Sequence, residues 1–80
     1  MFYFVYVLLF DKDNKFYTGC TDNLKERIER HVNGYVTATK TRRPISLIFY
    51  TAFIEKYKAF EFEKYLKSGS GRAFMNKHLI

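Results

Sequence analysis

The side chains of this chain whose types and spacing could do chemistry are two tyrosines, an arginine, a histidine and a glutamate. Tyr6 closes the apolar phrase Phe4-Val5-Tyr6, and Tyr17 opens Tyr17-Thr18-Gly19 after ten intervening residues. The polar stretch Asp11-Lys12-Asp13-Asn14-Lys15 lies between them, so a β-hairpin would bring the two phenols together. Arg27 and His31 sit one turn apart along one edge of a predicted helix, where a long guanidinium can reach the hairpin. Glu63 falls in the apolar sector of another helix, between Ala59 and Leu66. A carboxylate held there carries a desolvation penalty. A metal ion, a cationic partner or a water-filled cleft would offset it, and so would an i,i+4 pair with Lys67.

Plainer readings stand beside these. Two phenols can be core tyrosines with satisfied hydroxyls, and Arg27 and His31 can be solvated residues at a helix margin. Cys20 has no histidine near it in sequence and reads as a packed thiol. The stretch Lys67-Ser68-Gly69-Ser70-Gly71-Arg72 lacks P-loop spacing and joins two helices, so it reads as a capped turn. Its helix N-terminus together with Arg72 could still touch a phosphate.

The elements that must position these groups follow from pattern. Phe2 to Phe10 is apolar throughout, which suits a central strand buried on both faces. Asn14 to Cys20 is the returning strand, with Lys15, Tyr17 and Gly19 on one face. Thr21, Asp22 and Asn23 are candidate caps for a helix to about Asn33, stopped by Gly34, with Leu24, Ile28 and Val32 as its buried stripe. Tyr35 to Pro44 is a polar, basic loop, and Ile45 to Phe53 a third strand. A helix from about Glu55 to Lys67 ends at Gly69, and Ser70 is placed to cap a terminal helix that buries Phe74, Met75 and Leu79. The expected fold class is α+β: one domain over residues 1–80, a three-stranded, mainly antiparallel sheet sandwiched by three helices in the order β-β-α-β-α-α.

Composition narrows the function classes. Formal net charge is +6 on 80 residues, and after Glu63 there are four basic residues and no acid. Lys40, Arg42 and Arg43 add to an asymmetric basic surface that favours a polyanion, nucleic acid first. The longest apolar run is about half the ~20 residues a membrane helix needs and lacks a signal-peptide cleavage site. No membrane role is expected. The single cysteine excludes an internal disulfide and fits a reduced, cytoplasmic setting.

Together these residues resemble the GIY-YIG nuclease superfamily over nearly the whole chain. Phe4-Val5-Tyr6 stands for the Gly-Ile-Tyr phrase, with Phe4 in the glycine's place, and Tyr17-Thr18-Gly19 stands for Tyr-Ile-Gly. Leu24-Lys25-Glu26-Arg27 is similar to the helix of the family's catalytic arginine, and His31 falls where many members keep a histidine. Ala59 to Lys67, with Glu63 inside, resembles the helix of its metal-binding glutamate. Arg42-Arg43-Pro44 and Leu66-Lys67-Ser68-Gly69 resemble small single-domain bacterial members, similar to the nuclease domain of the excinuclease C subunit.

The resemblance implies hydrolysis of DNA phosphodiesters, DNA before RNA, possibly in repair, with one Mg²⁺ (or Mn²⁺) on Glu63. Tyr17 would activate or orient water, Arg27 would stabilise the pentacovalent phosphate, and Tyr6 would support the site. His31 would position water, a phosphate or Tyr17. Lys40, Arg42, Arg43, Lys67 and Arg72 would contact backbone phosphates. Two alternatives remain open: a weak or inactive nucleic-acid-binding module on the same scaffold, and a domain whose basic face docks an acidic protein.

Overall fold

The computed structural model describes residues 1–79. Strand β1 (Tyr3–Phe10) and β2 (Phe16–Thr21) form the hairpin, followed by helix α1 (Leu24–Val32), β3 (Ile45–Phe53), α2 (Lys56–Leu66) and α3 (Gly69–His78). The sheet order is β2-β1-β3, antiparallel at both pairings. The fully apolar strand is therefore central, as its pattern requires: Val5, Tyr6, Val7, Leu8 and Phe10 are all buried.

Alternation along the hairpin divides its side chains between two faces. Val5 and Val7 pair with Cys20 and Thr18, and join Ala59, Leu66 and Met75 of α2 and α3 in one core. Tyr6 pairs with Gly19 and faces the side where His31 of α1 lies. The turn closes with Asn14 in the left-handed region at φ 57° and the Phe10 N–H donating to the Lys15 carbonyl at 2.8 Å. Asparagine tolerates that conformation better than most residues.

Helix α1 begins where the cap residues predict, with the Asn23 side chain accepting from the Glu26 N–H at 3.2 Å. Its buried stripe differs from expectation. Leu24 and Ile28 are half-buried, but the next inward residue is His31, while Val32 is 52% exposed. The stripe continues by three residues rather than four because a 3-10 turn at Lys40–Arg42 returns the 35–44 loop beneath the last turn and offers His31 a polar partner there. That loop is thus ordered around a buried residue, Thr39.

The α2–α3 junction corrects a second expectation. Helix α3 starts at Gly69, and its cap is Ser68, whose hydroxyl oxygen accepts from the Gly71 N–H at 3.2 Å; Ser70 lies inside the helix. Gly71 has to be small, since a Cβ there would lie 1.9 Å from the Tyr65 carbonyl oxygen. The two helices consequently meet at backbone contact.

Candidate active site

Tyr6 is the hub of the candidate site. Its hydroxyl lies 2.9 Å from His31 Nε2, and its ring sits 6.5 Å from that of Tyr17, centroid to centroid. The Tyr17 and His31 rings meet edge to face at 5.2 Å. Burial, seconded by the neighbouring Tyr17 phenol, pushes the Tyr6 pKa up to about 12; Arg27 opposes the shift and Glu63 adds to it. Cys20 reports the same neighbourhood: burial raises its pKa, Glu63 raises it further, and Arg27 pulls it back. Arg27 from α1 and Glu63 from α2 therefore both act electrostatically on Tyr6 and Cys20.

Proton positions follow from which groups can donate. Thr39 Oγ1 lies 2.8 Å from His31 Nδ1 and donates its own proton to the Val36 carbonyl at 3.4 Å. It must then accept from Nδ1–H, which leaves Nε2 as an acceptor for the Tyr6 hydroxyl. Arg27, the cation facing that hydroxyl, has only N–H donors to offer, so the Tyr6 O–H donates to His31 Nε2. The result is a directed chain from Tyr6 through neutral His31 and Thr39 to a backbone carbonyl. His31 is fully buried, with both ring nitrogens engaged, so it holds the two tyrosines and has no nitrogen free for water or phosphate.

Thr39 is a residue that pattern reading misses. It is one of three threonines in a polar loop, and nothing local separates it from Thr37 or Thr41. Thr39→Val keeps the shape but leaves the His31 Nδ1–H unpaired, an expected loss of about 1–3 kcal/mol. Thr39→Ser should stay near wild type. Thermal melts of the two variants check this, and equal melting temperatures would remove the role assigned to Thr39.

The same burial gives a pH dependence. Desolvation first, then the Arg27 charge, lowers the His31 pKa below its ordinary 6.5. The unfolded chain then takes up a proton near that value while the folded one does not, so stability is fully present above it and declines as pH falls below it. Melts between pH 7.5 and 5 should show that decline, and His31→Gln should flatten it. A wild-type profile no steeper than the variant's would count against the buried neutral imidazole.

Glu63 is partly exposed, with 22% of its side chain accessible, and its Oε2 accepts from Lys67 Nζ at 3.0 Å. Its inward placement is therefore compensated by the i,i+4 ion pair. Lys67 and Arg72 line a groove of about 590 Å³ beside Tyr17. The loop cations behave differently. Arg42 pairs with Asp13 at 3.0 Å and lies 3.7 Å over the Phe10 ring. Arg43 donates to the carbonyls of Lys40 and Val32, at 3.1 and 3.2 Å. Lys40 is exposed. Both arginines are thus engaged in fixing the loop that carries Thr39. Cys20 is a half-buried thiol with a raised pKa, in keeping with its packed role.

Known proteins resemble this chain over most of its length. The family model of the GIY-YIG catalytic domain matches residues 2–77. A UPF0213 protein of Pediococcus acidilactici is 36% identical over 70 residues, covering 84% of this chain and 71% of its own length. The UPF0213 protein YazA of Bacillus subtilis is 42% identical over 57 residues, 70% of this chain and 58% of that protein. The solution structure of a UPF0213 protein from Bacillus halodurans superposes with a TM-score of 0.59 at 31% identity, covering 96% of this chain and 84% of that one. Those names state no activity. With its sequence matched from residue 2 to residue 77, the chain belongs to the GIY-YIG family, a nuclease superfamily.

Proposed function

We propose that this protein hydrolyses phosphodiester bonds in DNA, with Tyr17, Arg27 and Glu63 as the catalytic groups and Tyr6 and His31 as their support. The observation that carries the reading is the cluster of Tyr6, Tyr17 and His31, with Arg27 and Glu63 both acting electrostatically on Tyr6.

Tyr6 remains a neutral phenol across the neutral pH range, because its pKa is pushed up to about 12 and its hydroxyl donates to His31 Nε2. That leaves Tyr17, which lines the groove, to accept a hydrogen bond from the attacking water and orient it. Arg27 supplies a planar fork of donors for the charge that builds on the phosphate as the water oxygen bonds to phosphorus and the leaving oxygen departs. Glu63 suits a hard divalent ion that keeps most of its water: it is one accessible carboxylate that already accepts a cation at 3.0 Å. Among the described residues no group of three or more metal-ligating side chains surrounds it. Mg²⁺ or Mn²⁺ held there would polarise the phosphate and stabilise the leaving oxygen. Lys67, which would give up its place on Glu63, lies on the groove wall and can turn to a phosphate.

A second reading, a nucleic-acid-binding module that does not cleave, draws on the Glu63–Lys67 ion pair, which satisfies the carboxylate without any metal. Purified protein incubated with duplex, branched and single-stranded DNA, in Mg²⁺, Mn²⁺ or EDTA, separates the two. Metal-dependent nicking supports the nuclease. Salt-sensitive binding with every substrate left intact in both metals supports the module.

A further inference from the structure

A groove of about 590 Å³ runs beside the open edge of β2, between the hairpin turn and helix α3. Its floor is apolar: the half-buried Phe16 of β2 supplies the exposed surface, and the buried Leu66 of α2 and Met75 of α3 lie behind it. Its rim carries Lys15, Lys67 and Arg72, and no aspartate or glutamate lines it. Tyr17 forms part of the same wall, and Lys67 is at once a rim residue and the partner of Glu63. The groove therefore opens onto Tyr17 and is linked to Glu63 through Lys67.

An apolar floor between cations, with no opposing charge, matches one ligand chemistry well: a nucleotide whose base lies on the floor and whose phosphates meet the rim. The volume is that of a small-ligand cleft, enough for a nucleotide or two and far too small for a double helix. A base can reach the floor only when it is out of its stack and unpaired. Lys15 matters here for a specific reason. It comes from the hairpin turn, opposite Arg72 of α3, so the cations flank the floor on both sides instead of forming a single basic patch.

We propose that this groove seats an unpaired stretch of DNA next to the scissile phosphate, so that the protein engages a duplex that carries a single-stranded tail in preference to a blunt one. The inference deepens the nuclease reading above and rests on it for the position of the cut. Binding can be measured without cleavage.

The test is fluorescence anisotropy in EDTA with three labelled DNAs: a blunt duplex, the same duplex with a five-nucleotide single-stranded tail, and that duplex with a tail of five abasic residues. The tailed duplex is expected to bind about tenfold more tightly than the blunt one, the scale of a stacked base. The abasic tail, which keeps its phosphates, should lose most of that gain. The Lys15→Ala/Arg72→Ala double variant should bring tailed and blunt duplexes within about twofold of each other, whereas Lys25→Ala, on α1 outside the groove, should preserve the difference. Thermal melts establish that both variants are folded. Equal binding of tailed and blunt DNA, full retention by the abasic tail, or an undiminished preference in the double variant would each overturn the groove's role. Tail preference without metal-dependent cleavage would leave this inference standing and remove the nuclease reading instead. Cleavage without tail preference would do the reverse.

Discussion

Glu63→Gln is expected to lower metal-dependent cleavage by about a thousandfold or more while leaving the protein folded. The side chain keeps its size and its polar atoms but loses the charge that would hold a divalent ion, and electrostatic stabilisation of a phosphoryl transition state accounts for several kcal/mol. Stability should move little. The pair with Lys67 is an i,i+4 ion pair whose lysine is more than half exposed, and such pairs contribute roughly 0.3–0.5 kcal/mol. Arg27→Ala should cost about 100- to 1,000-fold by removing donors aimed at the same charge, and Arg27→Lys should recover only part of it, since an ammonium lacks the planar fork. Single-turnover nicking assays in Mg²⁺ and Mn²⁺, beside melts of each variant, give the answer. Activity in folded Glu63→Gln within tenfold of wild type would end the assignment of Glu63 as the metal-holding carboxylate.

Gly19→Ala is expected to damage both the fold and the site. The added methyl carbon would stand 2.3 Å from both the Cζ and the hydroxyl oxygen of Tyr6. Tyr6 cannot step aside cheaply: it lies in the central strand, is fully buried, and is tied to His31. Overpacking of that kind costs about 1–3 kcal/mol, and in a chain of this size each kcal/mol lowers the melting temperature by roughly 4–8 °C. Because the displaced group is the hub of the hydrogen-bonded chain to Thr39, cleavage should fall even at temperatures where the variant is folded. A variant with wild-type melting temperature and wild-type cleavage would show that the phenol is free to move. The glycine of Tyr17-Thr18-Gly19 thus has a cause in cross-strand contact with the first tyrosine, and not in backbone conformation.

Much of this was legible because the hydrophobic pattern of an 80-residue chain leaves few choices. A strand apolar on both faces must be central, a polar turn of five residues must close a hairpin, and one of Thr21, Asp22 and Asn23 must cap a helix. These fixed the order of elements, the pairing of Tyr6 with the Gly19 phrase, and the inward sector of Glu63.

Other features needed the folded molecule. Sequence placed Val32 in the α1 stripe and His31 at its margin, and the structure reverses them. Periodicity counts apolar residues, and a buried histidine is visible only with its partners, Tyr6 from 25 residues upstream and Thr39 from a loop. Ser70 and Ser68 are equally good caps by type; the backbone contact at Gly71 decides where α3 can start. The five basic residues look alike in sequence, yet Arg42 and Arg43 hold a loop while Lys67 and Arg72 line a groove with Lys15. Sequence by itself determined which side chains this protein has to work with and the elements that carry them. Only tertiary structure decided that Tyr6, Tyr17 and His31 pack together, with Arg27 and Glu63 both acting on Tyr6. Periodicity assigns a side chain to a face of its own element, and packing decides which groups of different elements come within reach of one another.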